Sequence, residues 1–344
     1  MLGVVIHAPK DLRVEPIVAP PPGAHDVLVR IAAGGICGSD LHYYHDGGFG
    51  TVRIRQPMVL GHEIAGVIAE VGSGVTHLRA GQRVAVNPSL PCGQCRYCAE
   101  GRQRHCLDMR FMGSAMRFPH VQGGFRQALT VPAVLAIPIP DTMTMAEAAM
   151  AEPLSVCLHA VNRAGALMGA RVLVTGSGPI GALTVLAARL AGAAEIVATD
   201  LSPYPLRFAE QCGATRTLDM SADPDALTPF TADKGYFDVM FEASGAGAAL
   251  RGAFDALRPG AIIVQVGIGG EVTLPMSVLV AKEFQLRGTF RFDQEFPLAV
   301  ELMGSGRVDV KPLVTATMPI TDANAAFVLA SDRKQAMKVQ LSFA

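Results

Sequence analysis

Charge of either sign is not in excess in this chain. Lys and Arg number 29 and Asp and Glu 30, leaving a formal charge of −1 at pH 7. That balance excludes a general nucleic-acid binder and a polybasic membrane module. Long uncharged apolar runs are missing too. The most apolar region, residues 182–198, is broken by Arg189 and Glu195, which excludes a bilayer-spanning segment. Residues 1–11 lack a basic stretch followed by an apolar run, so no secretory signal is expected. An even cysteine count is lacking: there are seven, four of them close together. This fits a reducing compartment better than a disulfide framework and points to a soluble cytoplasmic protein. Internal repeats and low-complexity tracts are absent. Tryptophan is absent and aromatics amount to 6%, whereas 36 glycines and 23 prolines promise many tight turns.

What is present is led by Cys92, Cys95 and Cys98, closed by Cys106. Four thiolates at this spacing form a closed tetrahedral zinc set with no position left for substrate. The lobe therefore reads as structural. If one closed zinc site exists, the scattered Cys37, His62, Glu63 and Glu152 become candidates for a second, open one. Cys37 follows an apolar run at 27–32, His62 and Glu63 precede another at 64–71, and Glu152 lies before Pro153. Cysteine, histidine and carboxylate plus water make a plausible catalytic zinc set. Read singly, Cys37 also suits a buried small hydrophobe, His62 a core histidine, and Glu63 and Glu152 surface acids.

Length predicts about two domains. Residues up to about 150 read as short strands with Gly/Pro turns, a barrel-like pattern. A helical stretch at 146–164 follows, broken or kinked at Glu152-Pro153. Next come a β-branched run at 171–175, the turn Gly176-Ser177-Gly178-Pro179-Ile180-Gly181, a helix at 182–191 and a strand ending at Asp200. That is one βαβ unit. Gly176 permits the tight turn, Gly178 lets backbone approach a pyrophosphate, and Gly181 lets helix and strand pack closely. The helix N-terminus favours phosphate. Asp200 is placed to accept both hydroxyls of an adenosine ribose and disfavours a 2′-phosphate, which favours NAD over NADP. Arg207 weakens that preference. Further strands are expected at 237–241 and 261–266, and a final strand at 338–341 is expected to rejoin the first domain.

The segments GGICGSDLHYY, GHE, the four-cysteine lobe, AEPLSV and GSGPIG occur in the order and at the spacings of the zinc-dependent medium-chain dehydrogenases. The chain resembles that family over essentially its whole length, and within it the polyol branch that includes sorbitol dehydrogenase. Residues 108–120, 234–239 and 286–292 are similar to those of the L-idonate-oxidising members of that branch.

The resemblance implies an α/β chain. A doubly wound parallel Rossmann sheet (154–289) would bind NAD, and a GroES-like, mostly β catalytic domain with a structural zinc lobe (1–153) would be completed by 290–344. It implies two zinc ions per chain: Cys37, His62, Glu63 and Glu152 at the catalytic ion, and Cys92, Cys95, Cys98 and Cys106 at the structural one. Asp40 would orient His62 through its second ring nitrogen. Ser39 and His42 match a proton relay. Tyr43, Phe118 and Arg291 match substrate contacts, with Arg110, Arg117 and His120 as other cations for a carboxylate. Pro179, Ile180, Val266, Gly267, Ile268 and Phe290 join the glycines and Asp200 as cofactor contacts. The chain departs from sorbitol dehydrogenases at Pro205, where they carry a cofactor-contacting arginine. The implied substrate is a sugar acid such as L-idonate, or a neutral polyol. The implied assembly is a homotetramer, with a dimer as the alternative. A non-catalytic cofactor-binding protein is the remaining reading, and the intact Cys37, His62, Glu63, Glu152 and Ser39 speak against it.

Overall fold

The computed structural model describes residues 1–343. The chain divides into two compact units, one of Met1–Glu152, Phe296–Asp332 and the C-terminal segment from Lys338, the other of Pro153–Glu295 and Arg333–Met337. Phe290 and Arg291 thus belong to the second unit.

The first unit is built on β1 (Asp26–Gly35) and β2 (Glu63–Val71), the central pair of a seven-stranded sheet. Their antiparallel register ends with Gly35 opposite Glu63. Helix α1 (Gly38–Asp46) leaves directly after β1, and its first turn carries Asp40. The remaining flank of β1 is shared. Ala128–Pro132 covers its first half and the C-terminal strand covers its last residues. A three-stranded sheet of Asp11–Pro16, Leu2–Ala8 and Met58–Val59 stands beside it.

The helical stretch at 146–164 is two helices, α2 (Met145–Ala149) and α3 (Ala151–Ala164). The break falls at Met150, ahead of the proline. Pro153 lies in the first turn of α3, where a backbone N–H would have no intrahelical partner, so it is tolerated without a kink.

In the second unit, β3 (Arg171–Thr175) feeds helix α4 (Pro179–Leu190) and then β4 (Glu195–Asp200). With β5 (Arg216–Asp219), β6 (Phe237–Glu242), β7 (Leu257–Gln265) and β8 (Gln285–Gly288) they make a six-stranded sheet ordered β5-β4-β3-β6-β7-β8. Every pairing is parallel. The order reverses between β3 and β6, as in a doubly wound fold. The centre strands are fully buried, with Val172, Leu173, Val174, Ile196, Val197 and Ile263 at 0% exposure, which is why their sequences read as apolar runs without alternation.

The chain returns to the first unit through β9 (Val314–Pro319) and β10 (Lys338–Ser342). β10 pairs with β9 and, antiparallel, with the end of β1. No helix among the described residues is long and apolar enough to cross a membrane.

Candidate active site and structural metal centre

The end of β1, the start of α1 and the start of β2 bring Cys37, His62 and Glu63 together. One ligand atom from each lies within 4.8 Å of the others. The approach depends on Gly35, because a Cβ there would sit 2.1 Å from Glu63 Oε2. His62 and Glu63 are buried. Asp40, wholly buried, knits the two strand ends. Its Oδ2 accepts from Cys37 N at 3.0 Å and its Oδ1 from Gly61 N at 3.2 Å. The expected bond from His62 to Asp40 is not closed: His62 Nδ1 lies 3.9 Å from Asp40 Oδ1 and has no hydrogen-bond partner. Asp40 here positions the backbone around the imidazole.

Glu152 is buried beside this cluster but is not one of the three converging donors. Burial pushes its carboxyl up to about 8; the His62 charge opposes that rise, and Glu63 and Cys37 add to it. Burial, then the Glu63 carboxylate, push the Cys37 thiol up to about 12. Burial also raises Asp40. So many acids in one dry volume call for positive charge. A divalent cation among these donors reverses their protonation, and cysteine, imidazole and carboxylate are donors that zinc accepts. The residues fit the metal.

Sequence reasoning missed one member of this site. Lys338, opening β10, donates from Nζ to both Glu63 oxygens at 2.7 Å each and to Ile36 O at 3.2 Å. Both partners are almost fully buried. Burial alone would lower the Lys338 ammonium, but the Glu63 and Cys37 charges outweigh it and the net shift is upward. The only sequence signal was a lysine at the head of a strand with no other charge.

Ser39 is half-buried in the first turn of α1, two residues after Cys37. His42 is partly exposed, with Nδ1 3.6 Å from Asp46 Oδ2 one turn later. Tyr43 is buried, and its hydroxyl accepts from Ala115 N at 2.9 Å. Phe118 is exposed under the Arg55 guanidinium. Arg117 pairs with Asp108, and His120 accepts from Arg55 N.

The four lobe cysteines converge in the same unit. Cys95 Sγ lies 3.6 Å from Cys98 Sγ and 3.9 Å from Cys106 Sγ. A tetrahedron with zinc–sulfur bonds of about 2.3 Å has edges of about 3.8 Å. Backbone N–H groups of Cys92 and Asp108 donate to Cys106 Sγ. Amides of Leu107 and Cys98 hold the Cys95 thiol down at about 6. This set is prepared for a metal.

In the second unit, Gly176 takes φ +82° at the end of β3. A Cβ on Gly181 would lie 1.8 Å from Gly176 O, whereas one on Gly178 would meet nothing within 4 Å. The open side of Gly178, at the N-cap of α4 with Pro179 and Ile180 in its first turn, is the approach a pyrophosphate needs. Asp200 accepts from Ser177 N at 2.8 Å and Ser202 N at 3.0 Å. Arg207 lies over the Tyr204 ring. Arg291, at φ +52°, stacks on Phe290.

Residues 23–141 match the alcohol dehydrogenase GroES-like domain and residues 179–305 the zinc-binding dehydrogenase domain. The chain is 46% identical to L-idonate 5-dehydrogenase (NAD(P)(+)) of Escherichia coli over 92% of its own length and 91% of that protein's. The chain belongs to the zinc-dependent medium-chain dehydrogenases. Among members of this family, sorbitol dehydrogenase of Gallus gallus is 38% identical, covering 99% of the chain and 96% of the relative. The crystal structure of the Escherichia coli L-idonate 5-dehydrogenase superposes with a TM-score of 0.94 at 43% identity, covering 99% of this chain and 97% of that one. Two zinc-ready donor clusters and a dinucleotide turn are what a catalytic medium-chain dehydrogenase requires.

Proposed function

We propose that this dehydrogenase oxidises a secondary hydroxyl of a sugar acid with NAD, and that L-idonate is the substrate, giving 5-keto-D-gluconate. The observation that carries the reading is the open Cys37–His62–Glu63 donor set in a chain whose likeness to an L-idonate 5-dehydrogenase runs almost end to end. When bound, the zinc supplies a Lewis acid that lowers the pKa of the substrate hydroxyl, and the nicotinamide accepts the hydride. Cys37, His62 and Glu63 hold the metal. Glu152 orients the water or hydroxyl beside it. Ser39 Oγ takes the hydroxyl proton, and the partly exposed His42 passes it to solvent. Tyr43 and Phe118 line the substrate path, and Arg291, in a backbone conformation rare outside glycine, supplies the cation for a carboxylate.

The phosphates are held at Gly176, Gly178, Pro179, Ile180 and Gly181, the adenosine ribose at Asp200, and the nicotinamide half at Val266, Gly267, Ile268 and Phe290. With both oxygens of Asp200 aimed by backbone donors and Arg207 engaged on Tyr204, NAD is preferred over NADP. Cys92, Cys95, Cys98 and Cys106 hold the structural zinc. A cytoplasmic working protein is part of this reading, supported by four of the seven cysteines standing reduced at metal-ligand spacing.

The second reading, a dehydrogenase of neutral polyols, is favoured by the full-length likeness to sorbitol dehydrogenase. Initial rates of NADH formation by zinc-replete protein on L-idonate, D-gluconate, sorbitol, xylitol, galactitol and L-threonine, repeated with NADP⁺, separate the two. We expect kcat/KM for L-idonate to exceed that of every neutral polyol. A preference for sorbitol or xylitol moves the assignment to the polyol reading.

The working form in this reading is a homotetramer, with a dimer as the alternative. The apolar helix Met276–Ala281 packs Val278 and Leu279 against the second-unit core, leaves Met276 and Val280 exposed, and leads into the open sheet edge β8. An apolar helix with one exposed face beside a strand with one open edge is a surface for a second copy.

A further inference from the structure

A register row at the carboxyl end of the second-unit sheet runs Thr175–Glu242–Gln265–Gly288 across β3, β6, β7 and β8. A dinucleotide lies over the point where strand order reverses. Asp200 marks the adenosine side, on β4. The opposite half of the ligand then falls over the ends of β6 and β7, where the walls are residues 243–245 and 266–268. These loops touch main chain to main chain. A Cβ on Gly267 would lie 2.2 Å from Gly245 N, one on Gly245 2.9 Å from Ile268 O, and one on Gly176 2.7 Å from Ser244 N.

Glu242 fastens this wall. It is fully buried, and no lysine or arginine pairs with it among the described residues. Its Oε1 accepts from Ser244 N at 2.9 Å and also from Ser244 Oγ. Gly245 N donates to both oxygens, at 3.1 and 3.0 Å. Oε2 accepts from Gln265 Nε2, which also donates to Gly267 O at 2.9 Å. The main-chain oxygen of Glu242 accepts from Val266 N and Gly267 N at 2.8 Å each. A buried carboxyl group is costly unless its acceptors are filled. Every donor filling these comes from the two loops or from the end of β7, so the group's effect is to fix those loops. They hold Ile268 outward at 66% exposure.

Resting on the reading that this unit binds a dinucleotide, we propose that Glu242 is a positioning residue for the nicotinamide half of the cofactor. It acts through the 266–268 turn and leaves the adenosine half untouched. Replacing the carboxyl by an amide turns one acceptor into a donor that faces other donors. Gln265→Leu removes the bridge to Gly267 O while keeping the carboxyl.

The test uses the full zinc-replete chain and two probes, NADH followed by its fluorescence and AMP by competition. In Glu242→Gln the NADH Kd should rise by about tenfold or more, while the AMP Kd stays within about twofold of the parent. Gln265→Leu should shift the NADH Kd in the same direction and serves where Glu242→Gln folds poorly. Equal weakening of NADH and AMP would reduce Glu242 to a general fold-stabilising residue, and unchanged NADH binding would overturn the proposal outright. A parent that binds neither probe would instead remove the dinucleotide reading itself.

Discussion

In the first unit one lysine faces one glutamate almost out of contact with water. Lys338 and Glu63 are both nearly dry, and their contacts are doubled. Removing one partner of such a pair leaves an uncompensated buried charge, which costs about 3–5 kcal/mol. Glu63 also faces the candidate metal, so a bound cation would take over part of the lysine's role. Lys338→Met should therefore destabilise the metal-free protein by about that amount and the zinc-replete protein by clearly less, read from urea midpoints in the two states. Equal losses would make Lys338 a plain core ion pair with no bearing on the metal. The cysteines of the lobe were legible because their spacing is local. Cys37, His62 and Glu63 were legible only together, once a closed zinc site had made an open one worth seeking. Lys338 was not legible at all, because its partner lies 275 residues away and only the pairing of β10 with β1 brings the two together.

Elements carry the next level of information, and α3 carries most. Its first turn holds Glu152. Two turns on, His159 Nδ1 lies 2.8 Å from Glu295 Oε1, and Asn162 donates to the same oxygen at 3.0 Å. Burial alone would raise the Glu295 carboxyl, but the His159 ring, the Asp293 N–H and the Asn162 amide outweigh it and hold it at about 2. A folded-state pKa below the unfolded value contributes stability above the unfolded value, near pH 4.5, and loses it as pH falls toward 2. We expect Glu295→Gln to cost on the order of 2–3 kcal/mol at pH 7. Parent and variant should converge between pH 4.5 and 2, measured as urea midpoints across that range. A gap that stays constant with pH would show that the carboxylate charge is not what matters. The helix itself was legible from its apolar pattern. Its break was read one step late, at Glu152-Pro153 and not at Met150, because proline is penalised in a helix interior but not in a first turn.

At the scale of the whole molecule, the four inner strands of the second unit were legible, since parallel strands buried on both faces give unbroken apolar runs set between helices, whereas the short edge strands β5 and β8 were not. The first unit was legible as many short strands with a C-terminal strand rejoining them, but which strand it joins, as in the pairing of Gln340 with Gly35, no local pattern announces. Patterning also leaves one debt unsettled within a single chain. Met276, Val280 and Leu286 are 59%, 69% and 45% exposed, and β8 offers its outer hydrogen-bonding groups to no strand among the described residues. A chain carrying such an edge needs a covering partner or charges that repel one. A lysine placed on β8 supplies the repelling charge without touching the core. Leu286→Lys should therefore lower the assembly state seen by light scattering coupled to size exclusion, while the far-UV spectrum and the zinc content stay as in the parent. An unchanged mass would show that β8 is not the contact edge, and would leave the exposed face of the helix Met276–Ala281 to be tested by the same substitution at Val280.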